Sequence, residues 1–308
     1  MRTVTNPQIN ETGKDPVPSG GNHCCTAMIT DWVASRLHNE QGFMGMTHAL
    51  SACAIVLALI AFVPGFVDNV LGSWHPAFIT LLCLVLIGGA LMPDLDNTNS
   101  SAESSLGFIG SGISAVMRAT APIIQGLLHT KYDKDTDNPH RGFYHTAVSA
   151  CLVGALGVAL CSMPGMAGKV SALVFAFIGT HVALCTLLKK PLKALGKSKI
   201  LGAVIPFLLT LAVIMVLWRL LPGDTTYWTI GVAFGAGWLV HILGDMCTTQ
   251  GVPVLWPIPI KGKMWYDVRL LKIKAGGVVE NVVFTPLFLL IIVVCIIHIV
   301  SHQVGMHF

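Results

Sequence analysis

Charge is what this sequence has least of. Asp, Glu, Lys and Arg together make up 11% of its 308 residues, against about 25% in an ordinary soluble domain. That scarcity excludes a conventional water-soluble globule. A hydrophobic fraction of 54% and a mean hydropathy of +0.71 point the same way. Other signatures are missing too. No Cys-x-x-Cys pair occurs among the nine cysteines, which removes support for thiolate zinc ribbons and dithiol redox chemistry. Gly-x-Ser-x-Gly, P-loop and Gly-x-Gly-x-x-Gly stretches are absent, so serine-hydrolase, nucleotide-hydrolase and dinucleotide readings have no footing. There is no internal repeat and no soluble domain of useful size. The N-terminal stretch MRTVTNPQINETGKDPVPSGGNH lacks the apolar centre of a cleavable signal peptide and reads as a flexible polar tail.

What is present in abundance is long apolar runs. A transmembrane helix needs about 20 mostly apolar residues, and seven stretches qualify: 47–64, 76–92, 143–163, 170–188, 200–221, 228–246 and 281–300. The expected fold is therefore all-α, a polytopic membrane helix bundle. Residues 1–45 form a polar extension and 46–308 the transmembrane domain. Within the extension, Ile29, Trp32, Val33 and Leu37 recur at helical spacing, as in a helix lying on the membrane surface. Between the second and third spans, LGFIGSGISAVMRATAPIIQGLLH is apolar but studded with Gly and Ser, and reads as an interfacial or re-entrant helix. The cysteines are odd in number and mostly scattered through apolar spans, as expected of compact buried thiols.

If seven spans alternate, all 19 Lys and Arg residues except Lys169 and Arg219 fall on one side, including the cluster KKPLKALGKSK. Loops rich in Lys and Arg stay in the cytoplasm. The N-terminus is then cytoplasmic and the C-terminus outside. The net charge of +4 follows from the same rule; it favours anionic lipid rather than nucleic acid as a partner.

Ionisable groups inside such spans are costly and mark function. His48 opens the first span, Asp94 and Asp96 close the second, His140, Arg141 and His145 open the third, and His241 and Asp245 close the sixth. Alternating topology brings all of them to the cytoplasmic ends of their helices. His241 and Asp245, at i and i+4, share a helical face. His140 and His145 are about 140° apart on an ideal helix and do not aim at one point if both are helical; Asn138 and Pro139 look like an N-cap and first-turn proline. Singly, these residues have plain explanations: an interfacial histidine, a turn with a capping aspartate, an arginine anchored at headgroup level. Together they form an imidazole and carboxylate set suited to zinc or a similar divalent ion. Their number permits one or two ions, or ligands with outer partners that orient them.

In chain order, MTHAL, PDLD, HRGFYHT and HILGDMCTTQGVPVLWPI resemble the YdjM-type family of bacterial inner-membrane proteins, over roughly residues 45 to 280. Metal-dependent hydrolysis is attributed to that family. It is distantly similar to the zinc-dependent phospholipase C and single-strand nuclease group, where helix-borne His and Asp hold zinc for phosphoester hydrolysis. The resemblance implies a hydrolase. Its metal ligands would come from His48, Asp94, Asp96, His140, His145, His241 and Asp245, with Asp94 or Asp96 as proton acceptor and Arg141 as a clamp for an anionic substrate. A site at headgroup depth suits a phospholipid or lipid-linked ester. A divalent-cation transporter and a metal-stabilised scaffold are the alternatives. The oligomeric state is open.

Overall fold

The computed structural model describes residues 45–67, 76–97, 100–133, 141–196, 199–220 and 227–304. The polar extension, with its Ile29–Leu37 helical pattern, and His140 lie outside the described residues. Eight α-helices follow in order: α1 Gly45–Phe62, α2 Pro76–Gly89, α3 Ser101–Leu127, α4 Ala147–Cys161, α5 Met166–Ala194, α6 Lys199–Leu220, α7 Trp228–Met246 and α8 Thr285–Val304. Short 3-10 turns at Pro93–Asp96 and Phe143–His145 precede α3 and α4, and a π-turn at Glu280–Phe284 leads into α8. Among the described residues, extended pairing is limited to three isolated bridges, all within 248–273. The chain is an all-helical membrane bundle, with seven helices long and apolar enough to cross a bilayer.

Those seven helices differ from the expected set in one exchange. The 143–163 segment forms a helix of only 15 residues, while Ser101–Leu127 is long and apolar enough to count. The cause of the first difference is local. Thr146 caps α4 by accepting a hydrogen bond from the Ser149 amide at 3.1 Å, and the Ala147 amide donates to the Val254 carbonyl at 3.0 Å. Residues 143–145 are thereby drawn out of the helix into a tighter turn. At its other end α4 reaches as far as α7 starts, since the Tyr227 amide donates to the Cys161 carbonyl at 3.0 Å.

Contacts settle the course of α3. Its first half meets α5, where the Ser105 carbonyl lies 3.0 Å from His181 Nε2; its second half meets Tyr144, whose hydroxyl is 2.6 Å from Thr120 Oγ1. The 3-10 turns before α3 and α4 are themselves neighbours, with Asp94 Oδ1 and His145 Nε2 3.9 Å apart. So α3 has α5 and both 3-10 turns as neighbours. Gly107, at φ +56, supplies a bend that other residues adopt at a steric cost. Gly110, Ser114, Met117 and Ala121 make its buried stripe, and Phe108, Val116, Ile123 and Leu127 stand exposed on the other side.

The interior is built on α2 and α7, with α1, α4 and α5 around them. In lipid there is little hydrophobic drive between helices, so close backbone approach and packing hold them. Small residues supply that approach. Gly88 of α2 faces Gly179 of α5, and Gly154 and Gly157 of α4 face Gly235 and Gly231 of α7. A Cβ placed on Gly231 would stand 2.2 Å from the Gly157 carbonyl carbon, a backbone atom that cannot step aside. Gly231→Ala is therefore expected to destabilise the bundle by about 1–3 kcal/mol. Gly202→Ala, on α6 where a Cβ meets nothing within 4 Å, should leave stability unchanged or raise it slightly. Thermal unfolding of both variants in one detergent checks the contrast.

Candidate metal centre

Each polar side chain is delivered to one end of the bundle by a local reason. His48 lies in the first turn of α1 and packs on Gly244, where an added Cβ would come within 2.9 Å of its ring. Pro93 starts a 3-10 turn that carries Asp94 and Asp96. With about three residues per turn, the two carboxylates point in different directions. His145 ends the second 3-10 turn, just before the Thr146 cap. His241 and Asp245 sit one turn apart on the last stretch of α7.

These directions converge. His241 Nε2 lies 3.2 Å from His145 Nε2, 3.5 Å from Asp94 Oδ1 and 3.5 Å from Asp245 Oδ2. His145 Nε2 is 3.5 Å from Asp245 Oδ2 and 3.9 Å from Asp94 Oδ1. His48 stacks on His241, with ring centroids 3.9 Å apart, and its Nε2 is 3.5 Å from Asp245 Oδ1. Asp96 stands on the other side of His145, with Oδ2 3.9 Å from Nδ1. The two aspartates that the sequence left interchangeable thus occupy different places: Asp94 faces the meeting point, and Asp96 lies behind an imidazole. His145 and His241 are fully buried, and His48, Asp96 and Asp245 nearly so. Asp94 alone of the six is open, with 26% of its side chain exposed, so the mouth of the site is there.

One hydrogen bond fixes the chemistry at the centre. His241 Nδ1 is 2.8 Å from the Ala90 carbonyl oxygen, which can only accept. Nδ1 therefore carries the ring hydrogen, and the neutral ring presents a lone pair at Nε2. That lone pair faces two carboxylate oxygens and a second imidazole nitrogen. Such a gathering is held together either by a ring proton on His145 Nε2 or by a cation among the four atoms. Two groups, His48 with His241 and Asp245, and Asp94 with His145 and His241, each bring three donor atoms within 4.8 Å of one another and could hold a metal ion. The set is imidazole and carboxylate with no thiolate, which fits a borderline divalent ion.

Arg141 closes the site from behind. It is buried, with Nη2 3.4 Å from Asp245 Oδ1 and Nη1 donating to Thr248 Oγ1 at 2.7 Å. Thr248 in turn donates to the Asp245 carbonyl at 2.7 Å. Both terminal nitrogens of the guanidinium thus have protein partners. Thr248 opens the TxxGVPVLWP stretch singled out in the sequence, but its role as a support for Arg141 was not foreseen; nor was that of the Ala90 carbonyl. The stretch continues into a loop pinned by stacked Trp256 and Trp265 and by Asp133, which accepts from the Thr130 amide and hydroxyl and from the Trp265 amide. Burial opposes ionisation of Asp133, but these donors outweigh it and hold its pKa below the ordinary carboxylate range.

The family model for YdjM inner membrane protein matches residues 43–195 and 201–304. The chain belongs to the YdjM family. The matched region takes in all six converging residues and Arg141, and residues 1–42 precede it. No curated protein and no solved structure matches the chain. As a YdjM inner membrane protein, it places its buried His and Asp groups at one end of a multi-pass bundle. Lys169, whose Nζ donates to the Trp218 carbonyl at 3.0 Å, lies with Arg219 at the opposite end.

Proposed function

We propose that this YdjM protein is a membrane-embedded, metal-dependent hydrolase with its site at the cytoplasmic face of the inner membrane. Its substrate is a phosphoester or ester of a lipid or lipid-linked molecule. The observation that carries the reading is the His241 Nε2 lone pair aimed at His145, Asp94 and Asp245 in a buried setting, since that arrangement suits a divalent cation. Zinc is the first choice for imidazole and carboxylate ligands. When bound, such an ion supplies electrophilic activation and a nucleophile from water near neutral pH.

The chain's own residues then divide the work. His145, His241, Asp94 and Asp245 hold the ion. Asp94, the one exposed member, borders the substrate's entry, and its second oxygen is left to take a proton. Asp96 orients His145 from behind. The orientation rests on the Lys and Arg asymmetry, which keeps the site end of the bundle in the cytoplasm. The substrate class rests on depth: the site lies at helix ends, beside α3 with its exposed Phe108, Val116 and Leu127, where headgroups are presented and free solutes have no advantage. Transport is disfavoured because permeating ions are usually bound near the bilayer midplane, and here both candidate groups lie at one end.

The test is turnover by purified protein in lipid nanodiscs loaded with zinc and offered a panel of phospholipids and lipid-linked esters. Product release that stops on chelation and returns with zinc is the expected result. Metal-loaded protein that releases no product, yet passes the same ion across vesicle membranes, would make it a transporter.

A further inference from the structure

The two oxygens of Asp245 face different company. Oδ2 lies 3.5 Å from both His145 Nε2 and His241 Nε2, whereas Oδ1 lies 3.5 Å from His48 Nε2 and 3.4 Å from Arg141 Nη2. A two-metal site holds its ions about 3.5–4 Å apart, and Asp245 is the carboxylate placed to bridge such a pair. We infer that the centre takes one divalent ion, between His145, His241, Asp94 and Oδ2 of Asp245, and that the Arg141 guanidinium is the built-in cation where a second ion would sit. This rests on the metal-centre reading above.

Three observations converge on a single ion. The two groups able to hold a metal share His241. With Nδ1 committed to the Ala90 carbonyl, that ring has one lone pair and serves one ion at a time. Next, the five separations among the proposed donors that involve an imidazole run from 3.2 to 3.9 Å. Metal–ligand bonds of roughly 2.0–2.2 Å at ordinary angles set neighbouring donors roughly 3–4 Å apart, so the spacing is that of donors on a common ion. Charge balance is the third. Asp94, Asp96 and Asp245 against Arg141 leave two negative charges, which one divalent ion cancels. A second ion would leave two positive charges uncompensated in a buried site, an expensive arrangement. Arg141 cannot readily swing away to admit it, because Nη1 is tied to Thr248 Oγ1 and lies 3.4 Å from the Gly251 carbonyl.

Metal stoichiometry of the full chain in nanodiscs, stripped by chelator and then titrated with zinc or manganese, tests this without any turnover assay. One zinc per chain is expected, with manganese giving the hyperfine sextet of an isolated ion. Two ions per chain, with the multiline spectrum of a spin-coupled manganese pair, would overturn the inference and leave the metal centre standing. No binding at all would overturn the reading beneath it as well. Arg141→Gln, which removes the cation and keeps a polar side chain, should admit a second, weaker zinc; Arg141→Lys should stay at one. A folded Arg141→Gln protein that still saturates at one ion would refute the role given to the guanidinium. If that variant does not fold, the manganese spectrum of the wild-type protein decides.

Discussion

His241→Ala is expected to reduce zinc occupancy to background and to abolish lipid-ester hydrolysis together. The substitution removes the one side chain common to both candidate metal groups. Losing an outer-shell partner of a metal ligand typically costs about 10–100-fold in affinity or activity, and losing the ligand itself should cost more. The backbone has little reason to fail. His241 is at the hub of the site, but the α7 packing on α2 and α4 runs through Gly237, Gly235 and Gly231, which the substitution leaves alone. Elemental analysis and a product assay on one preparation check the pairing. Full zinc occupancy in a His241→Ala protein would remove the hub from the metal centre and with it the proposed chemistry. The Ala90 carbonyl offers a graded companion: it holds the ring through Nδ1, so any distortion there should weaken metal binding without erasing it.

How far the sequence leads to this site depends on what kind of signal each part leaves. The span over 228–246 coincides with α7, and the run at 47–64 lies two residues beyond α1, because uninterrupted apolar length needs no knowledge of neighbours. His48, Asp94, Asp96, His145, His241 and Asp245 were selected as costly groups in apolar surroundings, and alternation of the spans alone placed them at one end. The start of α4 was not legible. It is set by a hydrogen bond from Ala147 to Val254, far along the chain, that pulls residues 143–145 into a 3-10 turn. The same holds for Arg141, which the sequence offered to a substrate. Its partner Thr248 is 107 residues away, and no local pattern reveals that the guanidinium is taken up by the protein. The separate places of Asp94 and Asp96 follow from the winding of a four-residue turn, below the scale that periodicity resolves.

The second large effect separates two aspartates that look equivalent as ligands. Asp245→Ala should lose much of its stability as well as its metal, while Asp94→Ala should keep its stability and lose metal. Asp245 is buried between His48, His145, His241 and Arg141, with Arg141 only 7% exposed. Its removal strands a buried guanidinium opposite a cavity. Breaking a buried ion pair from one side costs about 3–5 kcal/mol, a large share of the roughly 5–15 kcal/mol that holds a typical domain together. Asp94 has no such dependent. Its side chain is 26% exposed at the mouth, so water can fill the space it leaves, and its neighbours His145 and His241 can lose it without stranding a fixed charge. Pairing the changes refines the test: Arg141→Met added to Asp245→Ala should recover much of the lost stability, because it removes the stranded charge, yet it should restore no metal binding. Thermal unfolding and zinc content, measured side by side on the three variants, read the two effects independently. Wild-type stability in Asp245→Ala would mean that Arg141 draws its compensation elsewhere, and that Asp245 is a ligand alone.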